Sequence, residues 1–265
     1  MEAAEGRILQ REARHRFKEG TGIRVFSRPD RLRAWCKKNG VDFEERKHLI
    51  TDAGQVIPGF SKDGDGVEFF VHSPFAKRLN ESKVEVRNED SLIVQATFLV
   101  QESETKVLLM ADATHEIIAD IVEVTRDLKD RPERLEWDVM KLPHHCSYLS
   151  VGPEKGEEQT EPVEAVAWLY ETQAQSNAII VSTSKPIPSK GSAEDKDVQP
   201  PHRQAANYYK STLDTPADFK VTMEHPSKSS PRPLVIEISV HKATIKKQSG
   251  SAGGRATGTS APRAG

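Results

Sequence analysis

Two stretches of this chain place reactive side chains where chemistry could be done. In the first, residues 106–111 (KVLLMA) run apolar and deliver a carboxylate, Asp112, just before a segment of helical period. The end of a strand that leads into a helix is where α/β proteins gather ligand and metal groups. Asp112 could therefore act as a catalytic or metal-binding carboxylate, while Asp112 or Thr114 could equally cap the following helix. In the second stretch, residues 137–142 (WDVMKL) stop at Pro143 and present His144, His145, Cys146 and Ser147. Neighbours on extended chain point to opposite sides. One of His144 and His145 is then expected to face a metal while the other orients it or packs. The pair could also be incidental and on the surface. Cys146 is a soft ligand by type, or a small buried residue filling a tight turn.

The elements that would position these groups read as follows. Residues 1–20 are charged and Arg/Glu-rich, a surface helix or a frayed end. Residues 23–26 (IRVF) suggest a short strand, and Pro29-Asp30 opens a helix that Asn39-Gly40 ends. The middle is strand-rich: 67–72, then 91–100 and 106–110 as a hairpin, then 137–142. Helices are predicted at 117–128, 163–174 and 202–210, a buried strand at 177–182, and a final hairpin at 234–247. Residues 185–201 read as an exposed loop, and from 248 onward the Gly/Ser/Ala/Thr/Arg composition predicts a disordered tail. Strands alternating with helices make an α/β or α+β layered domain.

Composition narrows the class. The chain has 265 residues, enough for one sizeable domain; 36% are hydrophobic, 29% charged, and the net charge is −2. Bulk charge steers it neither to nucleic acid nor to a membrane, although a local basic patch remains open. No apolar run approaches the roughly 20 residues of a spanning helix, and the first 20 residues lack the apolar centre of a secretory signal. Two cysteines in unlike contexts, Cys36 and Cys146, suit a reducing cytoplasm.

In order and spacing, four pieces resemble the metallo-β-lactamase superfamily, in particular the branch related to the hydrolase domain of competence-type DNA-uptake proteins. They are Phe70-Val71-His72-Ser73-Pro74, Asn88-Glu89-Asp90-Ser91, Leu108-Leu109-Met110-Ala111-Asp112, and Asp138-Val139-Met140-Lys141-Leu142-Pro143-His144-His145-Cys146-Ser147. The resemblance covers about residues 65–150 well and weakens through 177–247. It implies an αββα sandwich whose C-terminal half is largely present and whose N-terminal half is incomplete, with residues 1–247 as one partial domain. It further implies that Asp112 bridges two metal ions, zinc or manganese, and that one of His144 and His145 is the last histidine ligand. Ser147 would be a small polar residue near the substrate, and His202 could approach the cleft from a helix start. The reaction implied is hydrolysis of an ester, in the first place a phosphodiester or nucleic-acid-like substrate.

Three departures bear on that reading. Ala111 and Cys146 stand where the pattern has glycines. The larger one is that none of the nine histidines forms the family's His-x-His-x-Asp-His motif. Zinc in a catalytic site takes about three protein ligands, and Asp112 with one histidine falls short. The expectation is a truncated chain, weakly active or inactive alone, with a missing half or a partner chain covering an exposed apolar face. The alternatives are a non-catalytic interaction module with a decayed metal site, and an unrelated α/β domain.

Overall fold

The computed structural model describes residues 4–26, 29–74, 77–80, 83–85 and 91–246. The expected tail at 248–265 and the Asn88-Glu89-Asp90 stretch lie outside them.

The N-terminal part is helical: α1 (Ala4–Glu19), α2 (Pro29–Asn39) and the short α3 (Phe43–Arg46). They enclose a small core of Phe17, Cys36 and Leu49, with Ile23, Leu32 and Trp35 packed on it. Residues 23–26 do not form the expected strand. Val25 makes a single parallel bridge to Ile50, because four residues facing this helical core find no long partner. After α4 (Lys62–Asp65) come β1 (Val67–Ser73), β2 (Lys77–Asn80), β3 (Lys83–Glu85), β4 (Ile93–Val100) and β5 (Ser103–Leu109). Gly54, Gln55 and Ile57 exchange backbone hydrogen bonds with Val71 and Phe69, covering an edge that would otherwise be open.

The chain continues through α5 (His115–Val122), β6 (Trp137–Lys141), α6 (Glu164–Ala167), β7 (Ala174–Ser182), α7 (Arg203–Ser211), β8 (Phe219–Val221), β9 (Ile236–Ser239) and β10 (Lys242–Ile245). Six strands form one sheet in the order β1-β4-β5-β6-β7-β8. The β1/β4 and β4/β5 pairs are antiparallel; β5/β6, β6/β7 and β7/β8 are parallel. The molecule is thus mixed α/β, with a mostly parallel sheet flanked by helices. A two-residue turn at Gln101-Glu102 joins β4 to β5, with Gln101 at φ 57°, as tight hairpins require.

Helices cover one face of the parallel strands and the β9–β10 hairpin covers part of the other, which explains the short apolar runs at 107–109, 139–140 and 178–181. On one face, Leu108, Met140 and Ile180 pack with Ile118 and Ile121 of α5 and Tyr208 and Tyr209 of α7. Each such buried side chain contributes about 1.5–3 kcal/mol. On the other, Val139, Ile179 and Val181 lie under the β9–β10 hairpin through Leu234, Ile236 and Ile245. The buried carboxylate of Asp138 anchors that hairpin. Its Oδ1 accepts from Lys242 Nζ at 2.9 Å and its Oδ2 from the Lys106 N–H at 2.8 Å. The helices expected at 117–128 and 163–174 both end in a π-helical turn, at Glu123–Leu128 and Trp168–Thr172. The wider turn leaves Leu128 exposed while Thr125 is buried. No helix among the described residues is long and apolar enough to cross a membrane.

Candidate functional site

The parallel register sets Leu109 beside Lys141 and Lys141 beside Val181, so β5, β6 and β7 end at one edge of the sheet. Three turns leave that edge. The turn after β5 passes through Ala111 at φ 40° and carries Asp112 outward, with its side chain 66% exposed. No side-chain cap bond closes the start of α5 at Thr114.

The turn after β6 is not the extended chain expected from sequence. His144, His145 and Cys146 have φ of 43°, 52° and 68°, three consecutive residues in the left-handed region. Proline ends the strand at 143, and the chain must coil back at once, because the Cys146 and Ser147 N–H groups bond to the Pro143 and His144 carbonyls. Each such non-glycine residue costs about 1–2 kcal/mol. Strain of this kind clusters at functional sites.

The coiled turn still separates the two rings. His145 points to solvent, and its Nε2 lies 3.9 Å from Asp112 Oδ1. Its Nδ1 lies 2.7 Å from the Thr183 carbonyl just past β7. A carbonyl only accepts, so Nδ1 carries a proton, and Nε2 is the nitrogen that faces Asp112, bare whenever the ring is neutral. His144 turns inward, and its buried Nδ1 has no hydrogen bond. The His144 N–H donates to the Ala111 carbonyl at 3.0 Å. Lys141 Nζ donates to the same carbonyl at 3.2 Å. One oxygen therefore ties the Asp112 turn to the histidine turn. Burial lowers the Lys141 pKa, and the Asp112 charge works against that shift. No sequence motif marks Lys141 or Thr183 as part of the site; the polar end of an otherwise apolar strand is the available signal for Lys141.

The remaining candidates sit deeper. His202 is buried at the start of α7. Its Nδ1 accepts from the Tyr148 N–H at 3.2 Å, its ring meets the Tyr148 ring edge-on at 5.0 Å, and its Nε2 has no hydrogen bond. Burial lowers its pKa, helped by Lys155 and His144, so the ring is held neutral. Ser147 is buried, and its hydroxyl accepts from the Leu149 N–H at 3.3 Å. Cys146 is fully buried, and burial pushes its thiol up to about 12, which keeps it protonated and a poor ligand. The loop leaving β7 past Thr183 and returning at His202 encloses a cleft of about 390 Å³, walled by Pro186, Ile187, Pro188 and Pro201 with Lys185 at its start.

The chain matches no protein-family model, no curated protein and no solved structure. What the site can do thus rests on its geometry. Two ligands of one tetrahedral zinc, each about 2.0–2.1 Å away, stand about 3.3 Å apart. The Asp112–His145 gap of 3.9 Å closes to that with a small movement of two exposed side chains. A third donor is the difficulty. Among the described residues, no group of three His, Cys, Asp or Glu is placed to hold a metal ion. The donors among the described residues do not make a complete zinc or manganese site.

Proposed function

We propose that the chain is a metallo-β-lactamase-type hydrolase half-site: Asp112 and His145 are ligands of a zinc or manganese ion whose remaining donors come from a partner chain. The observation that supports this is the approach of Asp112 Oδ1 to His145 Nε2 across the ends of two parallel strands, with the other ring nitrogen tied to the Thr183 carbonyl. In this reading the substrate is an ester, in the first place a phosphodiester, and the isolated chain is weakly active or inactive. A bound ion there would supply a metal-held hydroxide at neutral pH. The chain's own residues do the positioning: Thr183 fixes the His145 tautomer, and the Ala111 carbonyl fixes the spacing of the two turns.

Zinc titration of the purified chain against a chromophoric chelator tests this. One weakly held equivalent is expected, with affinity falling by at least about 10–100-fold, the loss typical of a mere outer-shell partner, in Asp112→Ala and in His145→Ala. Unchanged affinity in both variants would overturn the reading. Adding zinc or manganese to bis(p-nitrophenyl) phosphate assays is expected to give little turnover by the isolated chain.

A second reading, a non-catalytic interaction module that keeps the fold, is favoured by the lack of a third donor among the described residues. It expects no stoichiometric zinc at all, in wild type or variant.

A further inference from the structure

Charge is unevenly distributed along the chain. The first 50 residues hold 13 Lys and Arg against 8 Asp and Glu, although the whole carries −2. This positive segment folds as the α1–α2 unit, and between its helices runs an open groove of about 430 Å³. Its floor is aromatic and apolar: Phe17, Phe26, Leu32 and Trp35. Trp35 and Phe26 are only partly buried, with the Lys18 ammonium near one side of the Trp35 ring.

The groove's polar wall is cationic. Arg14 and Arg24 line it directly. Arg24 is held in place, because its Nη1 donates to the His48 carbonyl at 2.7 Å and to the Ile50 carbonyl at 3.5 Å. A guanidinium fixed this way has less freedom to lose on meeting a ligand. Arg11, Arg14 and Lys18 follow at helical spacing on one face of α1, and Lys18 Nζ sits 5.8 Å over the Trp35 ring. Among the described residues, neither Arg11 nor Arg14 is in an ion pair.

We infer that this groove binds single-stranded nucleic acid, with bases laid on Trp35 and Phe26 and backbone phosphates on Arg11, Arg14 and Arg24. A cationic track beside partly exposed aromatic rings is the arrangement that holds single strands without regard to sequence. An acidic peptide would satisfy the cations but would leave the aromatic floor without stacking partners. A duplex hides its base faces and gains nothing from the floor. The inference is independent of the Asp112–His145 site and survives if that site holds no metal.

Fluorescence anisotropy with a 5′-labelled 20-mer of thymidylate, on the full chain without added metal, tests it. Binding should weaken about 20-fold between 50 and 200 mM salt, as contact with roughly three phosphates of a single strand implies. Arg11→Ala with Arg14→Ala, both exposed on α1, should weaken binding at least about tenfold at the low salt. Asp112→Asn should leave binding unchanged. Saturating oligonucleotide should quench tryptophan emission in wild type and much less in Trp35→Phe, which keeps a ring against Phe17. Three results would each overturn the inference. They are no binding at 50 mM salt, equal binding by the double variant, and displacement by poly-glutamate at equal charge concentration. The last would make the occupant an acidic polypeptide.

Discussion

His145 Nε2 lies 3.9 Å from Asp112 Oδ1, while His145 Nδ1 is tied to the Thr183 carbonyl at 2.7 Å. The three residues follow three different strands, so their meeting is a property of the parallel register. The hydrogen bond selects the tautomer. In neutral protein, long-range ¹H–¹⁵N correlation spectra should show His145 with a protonated Nδ1 and a bare Nε2. The opposite pattern would remove the lone pair facing Asp112, and with it the case for a ligand there.

Ala111 stands at φ 40°, a conformation that glycine adopts freely and alanine does not. Ala111→Gly should raise unfolding free energy by about 1 kcal/mol after the entropy gained by the unfolded chain is subtracted. That is a rise of about 2–4 °C in Tm for a chain of this size. Cys146→Gly relieves similar strain at φ 68° but deletes a fully buried thiol beside the tyrosine-rich core. Its Tm should gain less or fall. Differential scanning calorimetry of the two variants side by side checks the contrast.

The positions just tested show what the sequence could and could not reveal. Short apolar runs sufficed for β5 and β6, because the parts of these strands packed between the helices and the β9–β10 hairpin are apolar. The stops at Asp112 and Pro143 marked where their turns begin. The left-handed coil at His144, His145 and Cys146 was hidden, since residues other than glycine rarely take that form. Ala111 and Cys146 stood out only as missing glycines, and the positive φ at both is the reason a glycine would suit them. Edge strand β8 went unread: three residues, Phe219–Val221, carry too little alternation. The Thr183 contact is with a backbone carbonyl, which no side-chain identity encodes.

His72 is buried in β1, and neither of its ring nitrogens has a hydrogen bond. Burial is the main cause that lowers its pKa to about 4; the Arg134 backbone works against that shift, and the Arg134 charge adds to it. The unfolded chain, with an ordinary histidine near 6.5, takes up the proton first. The stability due to neutral His72 is therefore complete above about pH 6.5 and is lost as pH falls toward 4. The loss amounts to about 3 kcal/mol, and buried His202, also shifted down, adds in the same direction. Urea melts at pH 7.5, 6, 5 and 4 should show this slope. It should flatten in His72→Leu, and an equal slope in that variant would assign the effect to other groups.

Asp138 fastens the β9–β10 hairpin from inside the sheet, accepting from Lys242 Nζ and from the Lys106 N–H. Lys242 is half exposed but its partner carboxylate is buried, so Lys242→Met should cost about 1–3 kcal/mol. Asp138→Ala strands a backbone donor and removes a charge-assisted bond, and should cost about 2–3 kcal/mol. Hydrogen exchange should speed up first at the amides of 236–245 in both variants. Exchange that stayed slow there would mean that apolar packing on Val139, Ile179 and Val181 holds the hairpin unaided.

Lys141 offers the sharpest separation of site order from fold stability. Its ammonium is half-buried, and its pKa is lowered by that burial, so the fold gains little from the charge. Yet Nζ donates to the Ala111 carbonyl at 3.2 Å, the same oxygen that accepts from the His144 N–H at 3.0 Å. Lys141→Met keeps the apolar stem and removes the desolvated charge. Such a change is neutral or mildly stabilising where burial outweighs pairing. Tm should hold or rise by a degree or two, at roughly 2–4 °C per kcal/mol. The turn bearing Asp112 then keeps only the His144 donor, and its position relative to His145 should loosen. Broadened His145 ring resonances and weakened zinc binding at unchanged Tm are the expected signature, with partial recovery in Lys141→Arg. A fall in Tm with sharp His145 resonances would show that Lys141 supports the fold and does not set the spacing between the two turns.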